Sequence, residues 1–138
     1  PVDWAESARY YQMAVDQNDY GAMHNLGLML HNGHGVPVNK PLSAHYFKTA
    51  ADNGITNSMF SYASMCFKGD GIPENKQESA KYCKMAADNG HKTAMKMYAL
   101  MCEKGEGVPV NLEEAKRYRN MANGESSSSS SSKCCILI

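Results

Sequence analysis

The sequence predicts an all-α solenoid, and three observations carry that expectation. A seven-residue stretch recurs as Gly33-His34-Gly35-Val36-Pro37-Val38-Asn39, Gly69-Asp70-Gly71-Ile72-Pro73-Glu74-Asn75 and Gly105-Glu106-Gly107-Val108-Pro109-Val110-Asn111, each copy 36 residues after the last. Other positions keep the same phase: Tyr10, Tyr46, Tyr82 and Tyr118 share one register, Ala14, Ala50, Ala86 and Ala122 a second, and Met23, Met59 and Met95 a third. Within each unit the apolar residues follow helical spacing. Self-similarity at a fixed period of this size marks stacked supersecondary units. A chain of 138 residues has room for one short array and a tail.

Composition agrees with helices that approach closely. Leu, Ile, Val and Phe together supply only 20 residues, whereas there are 15 Ala, 10 Met and 8 Tyr. Small side chains let backbones come near, and Met and Tyr fill the gaps between them. The 14 Lys and Arg balance the 14 Asp and Glu, giving zero formal charge. That balance argues against nucleic acid, whose binding rests on phosphate neutralisation. No run of 18 apolar residues exists and no basic-then-apolar leader opens the chain, so neither a membrane span nor a cleavable signal is expected.

Taken in order, Pro1-Val2-Asp3 has the phase of Pro37-Val38-Asn39. The chain is therefore expected to open inside a turn, with further sequence upstream, and residues 1–19 to form half a repeat whose Trp4–Asp16 is a second helix (B) without its first (A). From Gly21 to His31, Ala22, Leu26, Met29 and Leu30 fall at i, i+4, i+7 and i+8, one face of a helix A, and Ala94, Tyr98, Met101 and Cys102 repeat the spacing. The Gly-x-Gly-Val-Pro stretch ends that helix, because Gly supplies a positive φ and Pro cannot continue the ladder. Asn39, Asn75 and Asn111 stand where a side-chain oxygen caps the next helix. Helix B then runs through Ser43, Ala44, Tyr46, Phe47, Ala50 and Ala51, and Asp52-Asn53-Gly54 closes it, as Asp88-Asn89-Gly90 does one period later. Whole repeats are expected at 20–55, 56–91 and 92–124. Gly27, Ala63 and Ala99 share one slot in helix A, where a small side chain admits a neighbouring helix. No such unit can bury its own apolar face, so the units stack into a right-handed superhelix with a concave and a convex side.

The combined pattern Ala-x-x-x-Leu-Gly-x-Met, Gly-x-Gly-Val-Pro-x-Asn and Ala-x-Tyr-x-x-x-Ala-Ala-Asp-x-Gly resembles Sel1-like repeats, relatives of tetratricopeptide repeats, over about residues 1–123. Two departures stand out. Asn occupies the turn position where the family often has Asp, and Lys116 replaces the alanine of Ala8, Ala44 and Ala80. The resemblance implies a scaffold or adaptor that gathers other proteins.

Helical geometry names a surface for those partners. His24, Leu28 and His31, then Phe60, Ser64 and Phe67, then Lys96, Leu100 and Glu103 lie opposite the core slots, at i, i+4 and i+7. These positions vary between repeats while the core slots do not, and Phe60 and Phe67 suit hydrophobic anchoring on the concave side. The alternative is that they pack on the adjacent repeat or meet solvent.

Chemistry-bearing constellations are scarce. His24, His31 and His34 straddle a helix end and a glycine turn, with no acid or Cys spaced to complete a metal shell. Gly33-x-Gly35 follows a helix rather than a strand and lacks the Lys-Ser/Thr ending of a phosphate loop. The acidic residues read as scattered over solvated helix positions, without a recurrent pair for acid–base work. No catalytic, cofactor or metal residue, no small-molecule substrate and no enzymatic activity is expected.

Cys66 and Cys102 share a helix A slot, and Cys83 takes the helix B slot of Phe47 and Arg119. Reduced, buried thiols in a cytoplasmic protein are the simpler account, with a Cys66–Cys83 bridge inside one repeat as the alternative. Residues 125–138 break the period. Ser126–Ser132 has no apolar surface to bury and reads as a flexible, disordered tether, ending in Lys133-Cys134-Cys135-Ile136-Leu137-Ile138. Cys135-Ile136-Leu137-Ile138 resembles a prenylation signal, and the double Cys resembles the ends of some Rab-type small GTPases. Lipid on Cys134 and Cys135 would attach the protein to a membrane periphery, since one chain binds only marginally. Repeats combined with such an end resemble fungal activators of chitin synthase. Two other readings stand beside this one: a repeat extension of a Rab-like GTPase whose nucleotide domain lies upstream, and an unmodified scaffold.

Overall fold

A computed structural model describes residues 3–124. The described residues form seven helices and no strand: α1 (Trp4–Val15), α2 (Tyr20–Asn32), α3 (Lys40–Asp52), α4 (Thr56–Lys68), α5 (Lys76–Asp88), α6 (Lys92–Lys104) and α7 (Leu112–Ala122). Each packs mainly on the helix before it and the helix after it. The fold is the expected α-solenoid of 36-residue helical hairpins, with α2, α4 and α6 as A helices and α1, α3, α5 and α7 as B helices. The serine tract and the Cys134-Cys135 end lie outside the described residues.

The recurring turn repeats its bonds as well as its sequence. Gly33, Gly69 and Gly105 cap the A helices at φ 74°, 68° and 72°, and their N–H groups donate to the carbonyls of Met29, Met65 and Met101. The N–H of Asn39, Asn75 and Asn111 donates to Leu30, Cys66 and Cys102 at 2.8–2.9 Å, pinning the next helix onto the last turn of the previous one. Their side-chain oxygens then accept from the N–H three residues on, as do Asp3 and Asp19. On α6 that task falls to the His91 ring, a cap that composition alone does not suggest.

The second glycine of each turn has a separate duty. Gly35, Gly71 and Gly107 sit against Trp4, Lys40 and Lys76, the first helical residues of the preceding B helices. These are the points where one hairpin touches the next.

The small slot in helix A also behaves as expected. A Cβ at Gly27 would stand 2.8 Å from the Phe47 ring, so the glycine admits the phenyl group. The bared carbonyl at this slot receives a serine from helix B: Ser43 Oγ donates to Gly27 O at 2.6 Å and Ser79 Oγ to Ala63 O at 2.7 Å, with both serines fully buried. Ala115 fills the corresponding place in α7. Ser79→Ala should therefore cost about 1 kcal/mol, because the carbonyl keeps its helical partner and only one net bond is lost. Thermal denaturation checks this, and a loss above about 3 kcal/mol would contradict it.

Hairpins are joined by bonds that recur on a 30-residue step. Tyr82 Oη donates to Asp52 and Tyr118 Oη to Asp88, both at 2.6 Å, while Lys40 Nζ bonds Asp70 at 2.7 Å and Lys76 Nζ bonds Glu106 at 2.8 Å. The acids are thus not simply scattered over solvated positions; these four link successive repeats. Edge-on aromatic pairs, Tyr62 with Tyr82 and Tyr98 with Tyr118, sit within the hairpins at centroid distances of 4.8 and 4.9 Å.

Lys116 does not disturb the last helix. Ala115, Tyr118 and Ala122 are buried, and Lys116 faces outward with Arg119 and Asn123. In α3 and α5 the same positions are Ala44, Phe47 and Ala51, then Ala80, Cys83 and Ala87, all buried in the core.

Candidate functional site

The A helices present one face on which the stripe expected from the sequence divides. Leu28, Phe60 and Ser64 line a cleft of about 210 Å³ between α2 and α4, together with His31, Phe47, Ser61, Met65, Lys68 and Asp70. Phe60, Ser64, Phe67, Lys96 and Leu100 line a second, of about 420 Å³, between α4 and α6, together with Lys68, Thr93 and Met97. Phe60, Ser64 and Lys68 belong to both, so the two clefts are compartments of one trough. Leu28 is 39% exposed and Leu100 46%, large apolar side chains left to solvent inside it.

His24 and Glu103 line neither cleft, and several stripe residues, His31, Phe60 and Phe67 of the clefts among them, have structural partners. His24 turns toward the next repeat, its Nδ1 2.7 Å from the buried Ser58 Oγ and its ring beside Phe47. His31 Nε2 lies 2.8 Å from Asp70, which also holds Lys40. Glu103 pairs with Arg119. Phe60 is stacked on His91 at 4.6 Å, and Lys76 lies 5.0 Å from the Phe67 ring. Reading the stripe from one helix found the exposed centre of each compartment. It missed Ser61, Lys68 and Met97, each one position off the stripe, and Thr93, a turn before Lys96, because a cleft between two helices takes a flank from each.

Nor do the three histidines converge. His24 faces Ser58, His31 faces Asp70, and His34 is stacked on Trp4 at 4.5 Å. Among the described residues no group of His, Cys, Asp and Glu is arranged to hold a metal. Cys66, Cys83 and Cys102 are buried free thiols, so the Cys66–Cys83 bridge is not made. Cys83 donates to the Ala94 carbonyl at 3.3 Å, and burial pushes its pKa up to about 12, away from thiolate chemistry. The Asp70 carboxyl is held below its ordinary range by the bonds from Lys40 and His31.

Burial lowers the His24 pKa from its ordinary 6.5. The unfolded chain therefore takes up a proton at this ring before the folded chain does. The contribution of this ring to stability should be level above about pH 7.5 and fall as pH drops through 6.5 toward the lowered value. His24→Gln should flatten that segment of the curve in urea titrations from pH 7.5 to 5, and an unchanged slope would refute the assignment.

The sequence matches the model of the Sel1 repeat over residues 2–19, 21–55, 56–91 and 93–122. The chain belongs to the Sel1 repeat family. Solved Sel1-type structures share its geometry. One is c5321, a protective antigen present in uropathogenic Escherichia coli strains that displays an SLR fold, at 25% identity and a TM-score of 0.85, the match covering 89% of this chain and 26% of that one. Another is a Sel1 repeat protein from Oxalobacter formigenes, at 28% identity and a TM-score of 0.81, covering 89% of this chain and 50% of that one. The chain thus spans about a quarter and a half of their lengths. No curated protein matches it. Sel1 repeat proteins are generally protein-interaction scaffolds, and among the described residues no helix is long and apolar enough to cross a membrane.

Proposed function

We propose that this Sel1 repeat chain is a non-catalytic adaptor that holds a partner protein against the face formed by α2, α4 and α6, the concave side of the superhelix. The continuous trough carries this reading. It sets Leu28, Phe60, Phe67 and Leu100 on a framework whose buried serines and helix caps hold the helices together. Partners of solenoids are read along such a face, and large apolar side chains in a desolvated setting dominate the energy. A photo-crosslinking residue placed at position 100 should capture partners that the same residue at position 81, on helix B, does not. Identical capture from both positions would reject the face.

The proposal extends to the chain end. Cys134 and Cys135 suit lipid attachment on a tether long enough to reach a modifying enzyme, and two chains would give a durable peripheral anchor where one would not. Intact mass of the mature C-terminus decides this: unmodified Ile138 at full mass rejects prenyl processing. The double Cys also keeps the Rab-type reading in view, and a Gly-x4-Gly-Lys-Ser/Thr loop in sequence before Pro1 would make these repeats an extension of a nucleotide-binding protein.

A further inference from the structure

The trough has a sign of charge that the chain as a whole lacks. Formal charge over the sequence is zero. Yet α4 and α6 carry Lys68, Lys92, Lys96 and Lys104 against a single acid, Glu103, and Arg119 of α7 already holds Glu103. None of those four lysines pairs with a carboxylate among the described residues, whereas four of the six lysines of the B helices, Lys40, Lys48, Lys76 and Lys84, do, Lys81 and Lys116 being the exceptions. Lys68 lines both compartments and Lys96 the second. The one acid lining the trough, Asp70, is compensated by Lys40 and His31.

Resting on the adaptor reading, the geometry points to an acidic peptide segment of a partner protein as the occupant, one large apolar side chain entering beside Leu100 and Met97 and flanking carboxylates meeting Lys68 and Lys96. The apolar walls supply affinity through desolvation, and the unpaired ammonium groups select sign and register. A basic segment would face repulsion here without any acid free to receive it. A neutral apolar segment would fill the cleft but leave the lysines on its rim unused. A folded helix is not required, because an extended segment can follow the trough across α4, whose Phe60 and Ser64 border both compartments.

Random twelve-residue peptides displayed on phage and selected on the 138-residue chain test this. The enriched set should combine Asp or Glu with Leu, Phe, Met or Trp, and the best synthetic peptide should bind more weakly as salt rises. Lys68→Glu with Lys96→Glu should weaken that peptide by about tenfold or more, and Leu100→Ser by a similar factor, while Lys81→Glu on helix B leaves it unchanged. All of these side chains are exposed, and circular dichroism of each variant confirms that folding is retained. Enrichment of neutral or basic peptides that still crosslink at position 100 overturns the acidic occupant and leaves the adaptor reading standing. No enrichment together with no crosslinks at position 100 overturns both. Binding to phosphatidylserine vesicles that is lost with the same two lysines, in place of peptide binding, assigns the charge to a lipid surface and overturns the proposal.

Discussion

Gly107→Ala is expected to destabilise the chain by about 2–5 kcal/mol, combining the cost of a left-handed non-glycine residue with that of overpacking. Gly107 has φ +77°, and an added Cβ would overlap the carbonyl oxygen of Lys76. That atom belongs to the first turn of α5 and cannot rotate away as a side chain would. The hairpin of α6 and α7 must therefore lift from α5, which also strains the Lys76–Glu106 bond next to the contact. Gly90→Ala is the internal control: φ is +93° and nothing lies within 4 Å, so only the backbone cost of about 1–2 kcal/mol applies. Urea denaturation of both variants makes the comparison, and equal losses would show that the inter-hairpin contact contributes nothing.

Tyr82→Ala should cost about 3–5 kcal/mol, the range for removing a large buried aromatic. Tyr82 is 1% exposed, lies edge-on to Tyr62, and donates to Asp52 of the preceding repeat. Its loss removes a hairpin's internal filling and its link to the neighbour together. In a one-dimensional array, weakening one interface also weakens cooperativity. The unfolding transition should therefore broaden and its denaturant slope fall. Tyr82→Phe keeps the ring and loses only the hydroxyl bond to Asp52, so it should cost about 1–2 kcal/mol and lower the slope less than Tyr82→Ala does. A sharp, unbroadened transition for Tyr82→Ala would mean that stability is not passed between repeats through this position.

Much of the fold was legible because the array is nearly one-dimensional, so each hairpin meets mainly its sequence neighbours and the same solution is written out at every period. Helix phase, the Asn caps and the glycine stops are local decisions, and the structure keeps them. Less legible was anything that joins one repeat to another. The recurrence of Tyr82 with Asp52 and Tyr118 with Asp88 is present in the sequence as a 30-residue step, but without the stacking geometry nothing distinguishes those acids from other turn residues. Gly107 likewise reads as a turn residue until its neighbour is seen to be Lys76. In the trough, the stripe rule located Leu28, Phe60 and Leu100. It could not anticipate that His24 would be drawn inward by Ser58, since position 58 is alanine in the flanking repeats, Ala22 and Ala94.

The 30-residue bonds fasten each hairpin to the next at two heights, Lys40–Asp70 and Lys76–Glu106 beside the start of a B helix, Tyr82–Asp52 and Tyr118–Asp88 near the close of the preceding one. Two separated lines of bonds brace neighbouring hairpins against hinging open about either line alone. Under tension the superhelix would yield like a zip fastener, tooth by tooth, and re-engage when released.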